Sequence, residues 1–265
     1  MRAFILEKRG RIFRTVGAAL FWLIIWFAAA ALINKEVLFV SPLKVLLELF
    51  RLCAAYEFWT SIANTIMRIM AGFSAAVIIG TLLAFLTSYS KIAHTLIKPA
   101  MAVINATPVA SFIILALMWL KSSMLPAFIS MLMVMPGIWQ NVQEGISRID
   151  KKQLEMADVF RLGKVKRLIS VVIPSVIPFL LAGCISGLGF AWKSGVATEI
   201  ICLPKNSIGT NLYESKLYLQ TSSLFAWTAV IVILSMIIEK LLKYMFRKLL
   251  KNYMLEEGEH GNNIE

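Results

Sequence analysis

Four groups of residues carry the polar chemistry of an otherwise apolar chain. Trp192-Lys193 and Glu199 place a cation and a carboxylate six positions apart, and Arg68 stands at the head of a long apolar run. Asn105 and Thr107 precede Pro108, and the stretch Leu154-Glu155-Met156-Ala157 to Phe160-Arg161-x-Gly163 alternates charge with hydrophobicity. Polar side chains among apolar runs are costly in lipid, so they mark either a route for a polar solute or the partners that neutralise one another. Lys193 either offers its charge to a passing anion or pairs with Glu199. Arg68 either reaches the path or snorkels to an interface. Asn105 and Thr107 sit where Pro108 breaks a helix and frees backbone groups. None of these groups is a catalyst. His94 and His260 have no clustered carboxylates, and Cys53, Cys184 and Cys202 are an odd set without a C-x-x-C pair. No GxxxxGK[ST] phosphate loop occurs, so ATP hydrolysis is expected to belong to another chain.

The elements that must position these residues follow from composition. Hydrophobic residues make up 59% of 265 positions and charged residues 16%, against roughly 25% charged in a soluble domain. Crossing the hydrocarbon takes ~20 apolar residues. The candidate spans are 16–33, 66–87, 97–120, 125–142, 168–190 and 224–245, giving an all-α membrane protein of about six transmembrane helices. The first run is too long for a signal core and reads as a retained anchor. Placing the N-terminus inside puts 19 of the 27 Lys and Arg on the cytoplasmic side, so both termini are expected to be cytoplasmic. The expected organisation is a cytoplasmic segment 1–15, a permease domain 16–245 with a cytoplasmic loop 144–167, and a cytoplasmic tail 246–265. The net charge of +12 sits in short clusters beside spans, which is topology and not a nucleic-acid surface.

Three stretches do not span. In 41–56, Ser41 and Pro42 suit a helix start, and Leu43, Val45, Leu46, Leu49, Phe50 and Cys53 follow at helical spacing, giving an amphipathic surface helix. The stretch 202–223 is polar and turn-rich and is expected outside. In 144–167, Ser147-Arg148-Ile149-Asp150 can cap a short helix over 151–162.

That last stretch resembles a known motif. Glu155-Met156-Ala157, followed by Val171-x-Ile173-Pro174, is similar to the EAA motif of permease subunits of ATP-binding cassette (ABC) importers. The family pattern is Glu-Ala-Ala, three residues, Gly, then Ile-x-Leu-Pro, and the interval from Glu155 to Pro174 is the family's. Met156 replaces the first Ala, and Arg161 occupies the Gly slot, with Gly163 nearby. Arginine is ill suited to positive φ, so the turn after the helix is expected to differ from the family's. Ser41-Pro42, Arg68-x-x-Ala71-Gly72-Phe73, Pro108 and Ala191-Trp192-Lys193-Ser194-Gly195-x-Ala197-x-Glu199 resemble the branch that imports nitrate, sulfonate and taurine. The resemblance covers roughly residues 10–250.

The resemblance implies a type I importer permease in a bacterial plasma (inner) membrane, forming the path for a small solute delivered by an extracytoplasmic binding protein. Two ABC ATPase subunits would bind ATP and Mg, while this chain carries no cofactor. A second permease copy would complete a homodimer. Leu154, Glu155, Met156, Ala157, Phe160, Arg161 and Gly163 would couple to the ATPase, with Leu154, Ala157 and Phe160 packing into its groove. Arg68, Asn105, Thr107, Trp192, Lys193 and Glu199 are the candidate path residues. Import of a thiamine precursor or riboflavin fits the same architecture. A secondary transporter fits less well, because the two halves of the chain show no convincing repeat. Small-residue patterns at Ala76-xxx-Gly80-xxx-Ala84 and Gly183-xxx-Gly187 are candidate helix contacts within or between copies.

Overall fold

The computed structural model describes the backbone over residues 2–262 and side chains over 17–18 and 20–246. The expected terminal segments, 1–15 and 246–265, fall outside the residues with described side chains, Phe246 excepted. Eleven α-helices follow one another, with no strand among the described residues: α1 (Arg2–Ile33), α2 (Pro42–Cys53), α3 (Tyr56–Tyr89), α4 (Lys91–Ala106), α5 (Val109–Ala116), α6 (Leu125–Ser147), α7 (Lys151–Val159), α8 (Lys164–Arg167), α9 (Ile173–Cys202), α10 (Ile208–Leu217) and α11 (Thr221–Asn262). A π-helical turn, Leu168–Val172, joins α8 to α9.

Among the described residues, four helical stretches are long and apolar enough to cross a membrane: Tyr56–Tyr89, Leu125–Ser147, Lys164–Cys202 and Thr221–Phe246. The expected third span is not one straight helix. It is α4 and α5 bent by 104°, and counting the pair as one span makes five. The break follows from Pro108, which forces the preceding residue out of the helical region; Thr107 lies at φ −83°, ψ 131°. The first expected span, 16–33, falls within α1, and its side chains are described at 17–18 and 20–33.

The centre is a three-helix unit of α3, α6 and α9. Backbones approach closely because small residues line the crossings. A Cβ on Gly72 would lie 2.1 Å from the Ala127 carbonyl oxygen of α6. Ala76 and Ala84 are fully buried, and Gly80 packs on Met135 and Ile138. Gly183 and Gly187 pack on Asn141 and Val134 of α6. Both small-residue patterns therefore serve contacts within the chain. Polar groups in this core are answered internally: Ser130 donates to the Ala191 carbonyl at 3.0 Å, and Trp139 Nε1 to Thr87 Oγ1 at 3.0 Å.

The peripheral elements depart from expectation in three ways. The amphipathic helix exists as α2, with Pro42 in its first turn, but the Ser41 side chain makes no capping bond. Helix α3 begins ten residues before 66. The stretch 202–223 contains a helix, α10, capped by Ser207 Oγ accepting from Thr210 N at 3.1 Å.

Gly72→Ala is expected to push α3 off α6 and destabilise the protein by about 1–3 kcal/mol, the usual cost of overpacking. A thermal melt in detergent against the unsubstituted chain reads this, and an unchanged midpoint would contradict the crossing.

Candidate functional site

The motif segment folds as a capped helix presenting an apolar face. Asp150 Oδ1 accepts from Lys152 N at 2.9 Å, a side-chain N-cap that supplies one orphan donor. Helix α7 stops at Val159, three residues short of the expected end. Its stop is a Schellman turn: Leu162 N donates to Ala157 O at 2.9 Å and Arg161 N to Asp158 O at 3.0 Å. This closure requires a left-handed residue, and Arg161 takes it, at φ 49°. The turn is therefore left-handed with a side chain in place, and the arginine carries the strain a glycine would avoid. Gly163 is not the left-handed residue; it lies at φ −59° and precedes α8. Arg167 bonds Asp158 across the turn at 2.6 Å.

Side-chain directions divide the expected packing set. Ala157 is 1% exposed and holds α7 against the chain, and Leu154 is half-buried. Of the residues expected to pack into the ATPase groove, Phe160 is 71% exposed, with Val159 and Met156 beside it and Glu155 also exposed, whereas Ala157 is turned into this chain. Just beyond, Pro174 has no N–H to offer the Ser170 carbonyl, and its ring crowds that position. The helix widens into the Leu168–Val172 π turn there. The Ile173-Pro174 part of the motif thus shapes the foot of α9, whose other end lies ~45 Å away at 1.5 Å per residue.

Along the spans, the expected path residues separate. Asn105 is exposed and lines a cleft of about 170 Å³ with Gly137 of α6 and Gly183, Ser186, Gly187 and Phe190 of α9. Thr107 donates to Val103 O at 2.8 Å beside the break. Ser186, Phe190 and Lys193, at i, i+4 and i+7, share one exposed side of α9. Ser186 was not anticipated, since a lone serine in an apolar run carries no distinguishing signal. Trp192 is buried, with its indole Nε1 unpartnered.

Lys193 does not pair with Glu199. Glu199 is fully buried and faces Arg68, with Oε1 3.6 Å from Nη1. Its Oε2 accepts from Thr65 Oγ1 at 2.9 Å and from Gly209 N at 3.2 Å. Arg68 Nη2 donates to Lys205 O at 3.1 Å, Asn64 to Asn206 O at 3.2 Å, and Asn211 Nδ2 to Ser61 Oγ at 2.9 Å. Ser61, Asn64, Thr65 and Arg68 lie on one face of α3 at i, i+3, i+4 and i+7. Together they clasp the strap 203–217 at the end of the bundle opposite α7. A Cβ on Gly209 would sit 2.4 Å from Glu199 Cβ, so the strap fits only with glycine there. The polar spacing on α3 was visible in the sequence, but its partner lies more than 130 residues away.

A bundle of apolar helices with a broken span, a mostly apolar cleft bearing Asn105 and Ser186, and a charged helix at one end suits a membrane transport component. The chain belongs to the family of binding-protein-dependent transport system inner membrane components, whose model matches residues 76–251. It is thus the permease of an ABC transport system, a family that works with ATPase and binding-protein partners. A probable ABC transporter permease of Brucella melitensis is 26% identical over 84% of this chain and 90% of its own length. A bicarbonate transport system permease of Synechococcus elongatus is 24% identical over 74% of this chain and 70% of its own. The fold matches a crystal structure of an amino acid ABC transporter with histidines, at a TM-score of 0.61 and 16% identity over 72% of this chain and 93% of that one.

Replacing Arg161 by glycine is expected to stabilise the turn by about 1 kcal/mol, because the left-handed cost to a side chain disappears. A raised thermal midpoint checks it, and a lowered one would mean that the arginine side chain outweighs its backbone strain.

Proposed function

We propose that this chain is the permease of an ATP-driven importer of a small anion, and that α7 is its coupling helix. The observation that carries the reading is the exposed Met156, Val159 and Phe160 face on a short helix anchored through Ala157. An apolar face held out by a capped, closed turn suits a groove on a partner protein. Two ATPase subunits, binding ATP and Mg, would each receive one such helix. Motion of α7 passes through the short α8 and the π turn into α9, so ATP-driven closure rocks the spans by rigid-body movement. The α7 end is cytoplasmic and the α10 end faces the binding protein, in keeping with the basic residues beside α7 and both termini.

The path runs along the exposed side of α9. Lys193 sits within the Lys164–Cys202 span, where an exposed ammonium facing lipid would be costly. A second copy covering this side, as a homodimer, would enclose Lys193, Ser186 and Asn105 in a polar passage. A cationic passage suits bicarbonate, nitrate or a sulfonate such as taurine.

Ala157→Pro and Glu155→Lys are expected to abolish solute-stimulated ATP hydrolysis in the assembled complex while the chain still inserts. Normal stimulation in both variants would overturn the coupling assignment. Lys193→Gln is expected to lower transport of an anionic solute about tenfold or more, as for loss of a desolvated charge contact; uptake of labelled bicarbonate, nitrate and taurine by proteoliposomes, compared with the unsubstituted chain, reads it.

A further inference from the structure

Glu199 is the only charged side chain among the described residues with no exposed surface. One of its oxygens is fully answered by Thr65 and Gly209. The other faces Arg68 Nη1 across 3.6 Å, and neither of those two atoms has a hydrogen bond. Charge-assisted bonds close to ~2.7–2.9 Å. A purely structural bridge in dry surroundings would close that gap, because a buried donor and acceptor left unmade are costly.

The gap is set by the relative position of α3, which carries Arg68, and α9, which carries Glu199. A relative shift under ~1 Å makes or breaks the remaining bond. The same two residues hold the strap, Arg68 through the Lys205 carbonyl and Glu199 through the Gly209 amide. The strap itself has a distinct bent shape, with Leu203 at φ 48° and Asn206 at φ 52°. It is held by these polar bonds, by Ile208 packed into the core of the bundle, and by the absence of a side chain at Gly209.

We propose that Arg68 and Glu199 are a positioning pair for transport. Their one open bond closes or releases as α3 and α9 slide during the cycle, and so holds or frees the 203–217 strap. This rests on the importer reading. The pair does not line the path; it acts through the strap.

The test uses the permease–ATPase complex in proteoliposomes, with Cys53→Ser and a reporter thiol, Ile208→Cys, at a position with no exposed surface on the strap. Ser207→Cys, equally buried and nearly isosteric, is the second reporter. Labelling by a membrane-impermeant maleimide is expected to be slow in the latched protein. In Glu199→Gln and Arg68→Ala it is expected to accelerate about fivefold or more, the scale of a coupling free energy between sites. Basal ATP hydrolysis without solute or binding protein is expected to rise in both variants, and Arg68→Lys is expected to fall between them and the unsubstituted chain. Unchanged labelling in both variants would overturn the latch. So would faster labelling with a matching loss of folded protein and of hydrolysis, which is general unfolding. If no ATPase accompanies the permease, the importer reading fails, and the labelling rates still decide whether the pair holds the strap.

Discussion

At Gly72 the backbone of α3 comes so close to that of α6 that a methyl group would sit 2.1 Å from the Ala127 carbonyl oxygen. In lipid no hydrophobic effect drives helices together, so such contacts and buried hydrogen bonds supply the cohesion. Gly195 repeats the pattern, leaving α9 against Ile69 of α3 and Ser130 of α6. The α3–α6–α9 unit is consequently dense, and dense packing passes a displacement on instead of absorbing it.

That rigidity gives the two polar ends their meaning. The α7 turn joins α6 to the foot of α9, and the clasp joins the head of α3 to the far end of α9. Helix α9 therefore runs from one to the other as a continuous member. In the proposed cycle, a displacement imposed at α7 would arrive at the strap as tilt or sliding of α9 against α3. Small shifts become switches where a bond is poised near its limit, which is the condition of Arg68 and Glu199. The cleft beside Asn105 lies between these ends, where the bent α4–α5 pair leaves room.

Much of this was legible in the sequence, for identifiable reasons. The long apolar runs gave α3, α6, α9 and α11, and the Asp150 cap followed from short-range chemistry that tertiary context rarely overrides. What remained hidden depended on distant partners. Polar residues at 61, 64 and 65 lie before the expected start of the second span at 66, because the groups that answer them, in residues 199–211, are distant in sequence. Helix α10 read as a loop, since Ser207 and Gly209 are turn residues until Thr65 accepts from the Ile208 amide and Glu199 from the Gly209 amide. Pro108 announced a break, but the 104° angle is set by packing of α5 on α6 and α9. The left-handed turn at Arg161 belongs to the Ala157–Leu162 closure, which forms with an arginine in place.

The central claim is that α7 seats in an ATP-hydrolysing partner. A photoreactive amino acid in place of Phe160, irradiated in intact membranes carrying the whole transport system, tests it directly. The expected product is a covalent adduct between this chain and an ATPase subunit, weakened when Ala157 is replaced by proline. Adducts confined to lipid or to the permease itself would contradict it.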